Sequence, residues 1–99
     1  MSMYMLYTTK AKSSEEMDDL RKQFQEIYNR YNIDVVGFWT NAEAENEFFY
    51  MSKYKDETDY EKKVELLRND EEYKNLTEKV KEARVAFDSK KLVPKWVAC

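Results

Sequence analysis

The stretch "VVGFWTNAEAENEFFYMSKYKD" (residues 35–56) carries the pattern that decides the fold. It holds the one glycine of the chain, Gly37, and six aromatic residues. Two β-branched and aromatic runs flank a polar, acidic interlude. Such runs predict strands, and the interlude at 41–45 predicts a turn, so 35–40 and 46–55 form a hairpin.

Upstream, "MYMLYTTK" (3–10) is β-prone through its tyrosines and threonines. Ser13 and Glu16 have the spacing of a capping box, in which hydroxyl and carboxylate each satisfy a free backbone amide. Met17, Leu20, Phe24, Ile27 and Tyr31 follow at alternating spacings of three and four, which predicts one apolar helix face. That helix is expected to stop near Asn32.

Downstream, Asp56 is placed to cap a helix carrying Tyr60, Val64 and Leu67. The rhythm breaks at "RNDEEY" (68–73), where Asn69 and Glu72 offer a second capping box. Tyr73, Leu76, Val80, Ala83 and Phe87 resume it and predict a long helix over 69–87. "KLVPKWVA" (91–98) reads as a last strand. Pro94 cannot donate to a sheet, so that strand is expected at an edge or bulged. The order is β-α-β-β-α-β, with the second helix broken. It predicts an α+β, ferredoxin-like domain over residues 1–99, with an antiparallel sheet. Many unrelated functions use that topology.

Composition bounds the function. A chain of 99 residues makes one domain, and an apolar fraction of 42% supports a core. A net charge of −3 argues against a general nucleic-acid binder. No apolar run is long enough to span a bilayer. The N-terminus lacks the basic and apolar regions of a signal peptide. Cys99 is the only cysteine, so no intrachain disulfide forms, and a reducing, cytoplasmic setting is expected. With no histidine and one cysteine, most zinc chemistry is excluded. No EF-hand-type or glycine-rich phosphate loop is present, so no metal and no cofactor are expected.

Strand alternation assigns faces. Pairing Trp39 with Phe48 and Gly37 with Tyr50 puts Val36, Phe38, Phe49 and Met51 on one face, with Leu6. This purely apolar set suits the helices. Val35, Gly37, Trp39, Phe48, Tyr50 and Ser52, with Met5, Tyr7 and Thr9, then form a helix-free, aromatic face.

The segments "YMLYTTKAK", "VVGFWTNAEAENEFFYMSKYKD" and "RNDEEYKNL" resemble the NIPSNAP family of the dimeric α/β-barrel superfamily. The likeness covers nearly the whole chain. It implies a homodimer in which two ferredoxin-like units set their helix-free faces together as a shared barrel. Burial of the aromatic face asks for the same outcome. Tyr7 stands where many relatives have arginine, and Tyr50 where many have histidine. Ser52 replaces a tryptophan.

Three functions are consistent with this reading. The first is a small apolar or aromatic ligand held between the two sheets by Tyr7, Trp39, Tyr50 and Ser52. The second is cofactor-free monooxygenase-like catalysis, which the superfamily includes and which needs a base poised near neutrality. No such base stands out. The third is a single-stranded RNA platform built on Tyr7, Phe48 and Tyr50. The missing glycine-rich third-strand signature and the acidic balance count against it.

Overall fold

A computed structural model describes residues 2–96. Cys99 and the end of the expected 91–98 strand lie outside the described residues. The elements are β1 (Met3–Ala11), α1 (Ser14–Arg30), β2 (Asp34–Asn41), β3 (Ala44–Tyr54), α2 (Glu57–Arg68), α3 (Glu71–Ala83) and β4 (Arg84–Leu92). The strands form one antiparallel sheet in the order β2-β3-β1-β4, which is the ferredoxin-like arrangement.

The expected dimeric barrel is corrected on two grounds. The sheet is open: β2 and β4 stand at its opposite edges and do not pair. The aromatic face that asked for a second sheet is also already covered, because it is the face beneath the helices.

The register of the hairpin also differs from the expected one. The hairpin turn is Ala42–Glu43, with Asn41 opposite Ala44, so the strands run further into the polar interlude than expected. The Asn41 side chain accepts from the Glu43 amide at 2.9 Å and donates to Glu47 at 2.7 Å. It shapes the turn without glycine. A register shift beside it pairs Thr40 with Phe48, Trp39 with Phe49 and Gly37 with Met51. Shifting a strand by one residue exchanges its faces. Phe48, Tyr50, Ser52 and Tyr54 point to the helices, with Met5, Tyr7 and Thr9, and the residues of β2 are the ones whose faces exchange. Phe49, Met51 and Leu6 lie on the open face, where Lys10, Lys53 and Lys90 interrupt the apolar surface. A second shift between Val35 and Gly37 leaves Val36 half exposed and keeps both Val35 and Phe38 on the helix side.

Gly37 is not opposite Tyr50. The indole of Trp39 lies against it: a Cβ there would sit 2.5 Å from Cζ2 and 2.6 Å from Cη2. The glycine lets the ring cover an edge strand.

The helix ends are partly as expected. At α1 the Ser13 side chain makes no capping bond. The helix closes with Asn32 at a φ of 56°, Ile33 N–H donating to Tyr28 and Asn32 N–H to Asn29. This is the two-bond left-handed termination in which asparagine substitutes for glycine. Asp56 caps α2 by accepting from the Asp59 amide at 2.8 Å. The break near 69 is present, but the cap of α3 is Asp70 and not Asn69. The helix expected over 69–87 ends at Ala83, and Phe87 lies on β4 opposite Thr9. The strand preserves the inward position of Phe87, which is why the helical rhythm appeared to continue. Pro94 follows the end of β4 and takes no part in the sheet.

Asp70 pins α1 to α3. Its carboxylate accepts from the Tyr73 amide at 2.9 Å, from Arg30 Nη1 at 3.0 Å and from the Tyr31 hydroxyl. Tyr31, the Tyr73 amide and Arg30 hold its pKa below the usual carboxylate value. A depressed folded-state pKa contributes stability above the unfolded value of about 3.9, and this is lost as pH falls through the folded value. The melting gap between the parent and Asp70→Asn should therefore be widest near neutrality and close on acidification below about pH 4. Melting curves over a pH series check this; a gap independent of pH would remove the charge from the account.

Candidate functional site

Between the sheet and helices α1 and α3 lies a cavity of about 250 Å³. Its floor is built from the central strands. Tyr7 and Tyr50 are direct partners on β1 and β3, and their rings stack at 4.5 Å. Phe87 extends the floor towards β4 at 6.0 Å from Tyr7, and Phe38 towards β2 at 6.4 Å from Tyr50. Phe24 and Tyr28 of α1 and Tyr73 of α3 form the roof, with Phe24 edge-on to Tyr73 at 5.8 Å. One polar contact ties roof to floor: the hydroxyls of Tyr28 and Tyr50 lie 3.1 Å apart.

Buried phenols tolerate such a site because each hydroxyl can both donate and accept. Burial pushes the pKa values of Tyr7, Tyr28 and Tyr50 far above the ordinary tyrosine value, and nearby phenols add to the effect. They are neutral hydrogen-bonding groups and not bases. Burial also raises Tyr73. Thr77 Oγ1 is buried with no hydrogen-bond partner among the described residues, and the residue lines the cavity.

Four residues were expected to form a ligand site. Tyr7 and Tyr50 come together in the cavity. Ser52 is fully buried, and its hydroxyl donates to Tyr54 at 3.1 Å away from the cavity lining. Trp39 is on the opposite face of the sheet and 48% exposed. The three rings proposed for stacking on RNA face the helices. Sequence reasoning missed Tyr28, although its place four residues after Phe24 extends the apolar face. It missed Thr77 and Arg84 because nothing in the pattern marks them, and Arg84 fell within the overextended helix. Arg21 was missed as a flank of the α1 face, four residues after Met17.

A second cavity of about 260 Å³ lies across a partition made by Tyr7, Tyr28 and Tyr73, and Tyr54, Tyr60 and Leu67 help to close it. Among the described residues, no group of three or more histidine, cysteine, aspartate or glutamate side chains is arranged to hold a metal ion. No helix there is long and apolar enough to cross a membrane.

The geometry defines an open-sheet, ferredoxin-like protein with an aromatic chamber under its helices. The family model described as NIPSNAP matches residues 3–96, and the chain belongs to the NIPSNAP family. It is similar to an uncharacterized NIPSNAP domain protein from Burkholderia xenovorans, with 19% identity, a TM-score of 0.79 and 98% of each chain covered. A NIPSNAP family protein from Agrobacterium tumefaciens shares 11% identity at a TM-score of 0.80, covering 96% of this chain and 94% of that one. SnoaB, a cofactor-independent oxygenase from Streptomyces nogalater, shares 5% identity at a TM-score of 0.77, covering 97% of this chain and 94% of that one. At these identities the likeness concerns the fold alone. No curated protein matches the chain.

Thr77→Val tests the cavity wall. It keeps the β-branched shape and removes a hydroxyl whose unpaired burial costs about 1–3 kcal/mol. The variant should unfold at a higher urea concentration with an unchanged slope. A lower midpoint would show that the hydroxyl is bonded in solution, with Tyr73 the nearest candidate.

Proposed function

We propose that the chain binds one small apolar or aromatic molecule in the cavity beneath α1 and α3, with Tyr7 and Tyr50 as contact residues. The stacked Tyr7–Tyr50 floor, roofed by Phe24 and Tyr73, is the observation that supports this reading most. Rigid rings give contact area at low entropic cost, and the phenol tips supply orientation. The volume of about 250 Å³ exceeds the ~150 Å³ that holds benzene and falls below the ~300 Å³ of drug-sized sites. It favours a ligand of one or two rings. Trp39 and Ser52 have no part in this proposal.

Binding is favoured over turnover. Proton abstraction needs a base with a pKa near the working pH. The buried phenols are shifted away from that range, and no carboxylate lines the cavity among the described residues. The likeness to SnoaB supplies a fold and no catalytic residue.

The test is thermal melting with a panel of quinols, flavonoids and fatty acids. A ligand present at 100 times its Kd adds about 2.7 kcal/mol, which is roughly 10 °C or more for a domain of this size. Tyr50→Phe should lower stability by about 1 kcal/mol through the lost Tyr28 bond, and should weaken any ligand that the hydroxyl orients. If no compound raises the melting temperature, the binding reading is lost.

We further propose that the chain forms a homodimer. Val85, 70% exposed, and Phe87 lie at the start of β4, and Val93 and Trp96, 83% exposed, lie just past its end, and exposed apolar side chains of this size are the observation behind this reading. Sedimentation equilibrium at micromolar concentration should report twice the chain mass. A purely monomeric distribution would overturn this.

A further inference from the structure

We propose that the ligand of this cavity carries an anionic group, with an aromatic monocarboxylate the best-fitting class. The inference rests on the binding reading above and adds the chemistry of the ligand's polar end. The first observation is the sorting of charge. The chain has 20 acidic residues and a net charge of −3, yet among the described residues no acidic side chain lines the cavity. Among the described residues, the charged side chains that line it are Arg21 and Arg84.

The second observation is how those arginines are held. The Arg21 guanidinium lies over the Phe38 ring at 5.2 Å, and Arg84 over Phe87 at 4.3 Å. Stacking fixes the plane of a guanidinium and leaves its N–H edge free. Among the described residues neither arginine forms an ion pair with a carboxylate. Arg30 shows the contrast, since it is engaged by both Asp70 and Glu72. Arg21 and Arg84 are therefore partly buried, oriented cations without a carboxylate partner among the described residues.

The third observation is position. Arg21 stands over β2 through Phe38, and Arg84 begins β4, so the two flank the cavity at opposite sheet edges. A one- or two-ring body resting on Tyr7 and Tyr50 extends its polar end towards one of them. A planar carboxylate matches the guanidinium edge with two parallel hydrogen bonds, which a neutral hydroxyl cannot reproduce. The unpaired Thr77 hydroxyl in the same lining offers a further donor.

The experiment compares 2-naphthoate with 2-naphthylmethanol by titration calorimetry on the full chain. The two share a bicyclic body and differ in the charged group. Naphthoate should bind at one site per chain and about tenfold or more tightly than the alcohol. Arg21→Met or Arg84→Met should reduce its affinity to that of the alcohol. Lys22→Met, which removes a charge from the exposed neighbour of Arg21, should leave it unchanged. Equal affinities for the two compounds would overturn the anion assignment and leave binding in the cavity standing. Failure of both to bind would overturn the two together. A preference that survives in both arginine variants would also overturn it, by placing the anion elsewhere. If either variant does not fold, Arg21→Lys and Arg84→Lys retain the charge without the planar fork, and a partial loss of preference is then the expected result. The comparison on the parent chain decides in any case.

Discussion

The hydroxyl of Tyr50 meets that of Tyr28 at 3.1 Å while its ring stacks on Tyr7 at 4.5 Å, and the arrangement of sheet and helices depends on this junction. Tyr7 and Tyr50 are opposite one another on the two central strands, so both must face the same side. Pairing of their rings fixes which side is inner. The Tyr28 contact then fixes where α1 lies above the strands. Three phenols occupy the centre of what would otherwise be an aliphatic core. Their rings cannot repack as freely as leucine or methionine side chains, so space beside them persists as a cavity.

The helices are held open by an asymmetry along their length. At one end Asp70 gathers Arg30, Tyr31 and the Tyr73 amide, joining the end of α1 to the start of α3. The cavity reaches the other ends of the same helices, at Met17 and Arg21 on α1 and at Thr77 and Val80 on α3. There no comparable polar clamp joins them among the described residues. The last connection at that end is the Lys12 amide donating to the Ala83 carbonyl, which ties β1 to the end of α3 and leaves α1 aside. Pinning at one end and packing by bulky rings in the middle leave room at the other.

The order of elements was legible in the sequence because each helix has a three-four rhythm and each strand a β-branched or aromatic run. Asp56 as a cap and Asn32 as a stop were legible for the same local reasons. The faces of the hairpin were not. They hinge on the register shift between Thr40 and Asn41, and the Asn41 side chain that shapes the turn beside it is one polar residue among several in "NAEAENE". By polarity alone, the apolar set makes the better core and the hydroxyl-rich set the better open face. The structure reverses this because phenols satisfy one another once Tyr28 supplies the third. Tyr7 and Tyr50 were recognisable as a pair, whereas Trp39 was carried along by the wrong register, and Ser52 shares their face but is buried against Tyr54 beyond the cavity lining. The end of α3 was hidden because Phe87 satisfies helical spacing and strand alternation at once.

The same reversal changes the chemistry available at the site. On a helix-free face the phenols would have been wet, with pKa values free to be tuned by whatever covered them. Beneath the helices they are desolvated, and burial favours the neutral form. Neutral phenols and two stacked guanidinium groups then surround the cavity, and among the described residues no acidic side chain is on its walls. An environment of donors without a base stabilises negative charge that a ligand already carries. It does little to create that charge by removing a proton. Recognition of a preformed anion follows from this balance more directly than catalysis does, and it needs only the stacking and orientation already built into the walls.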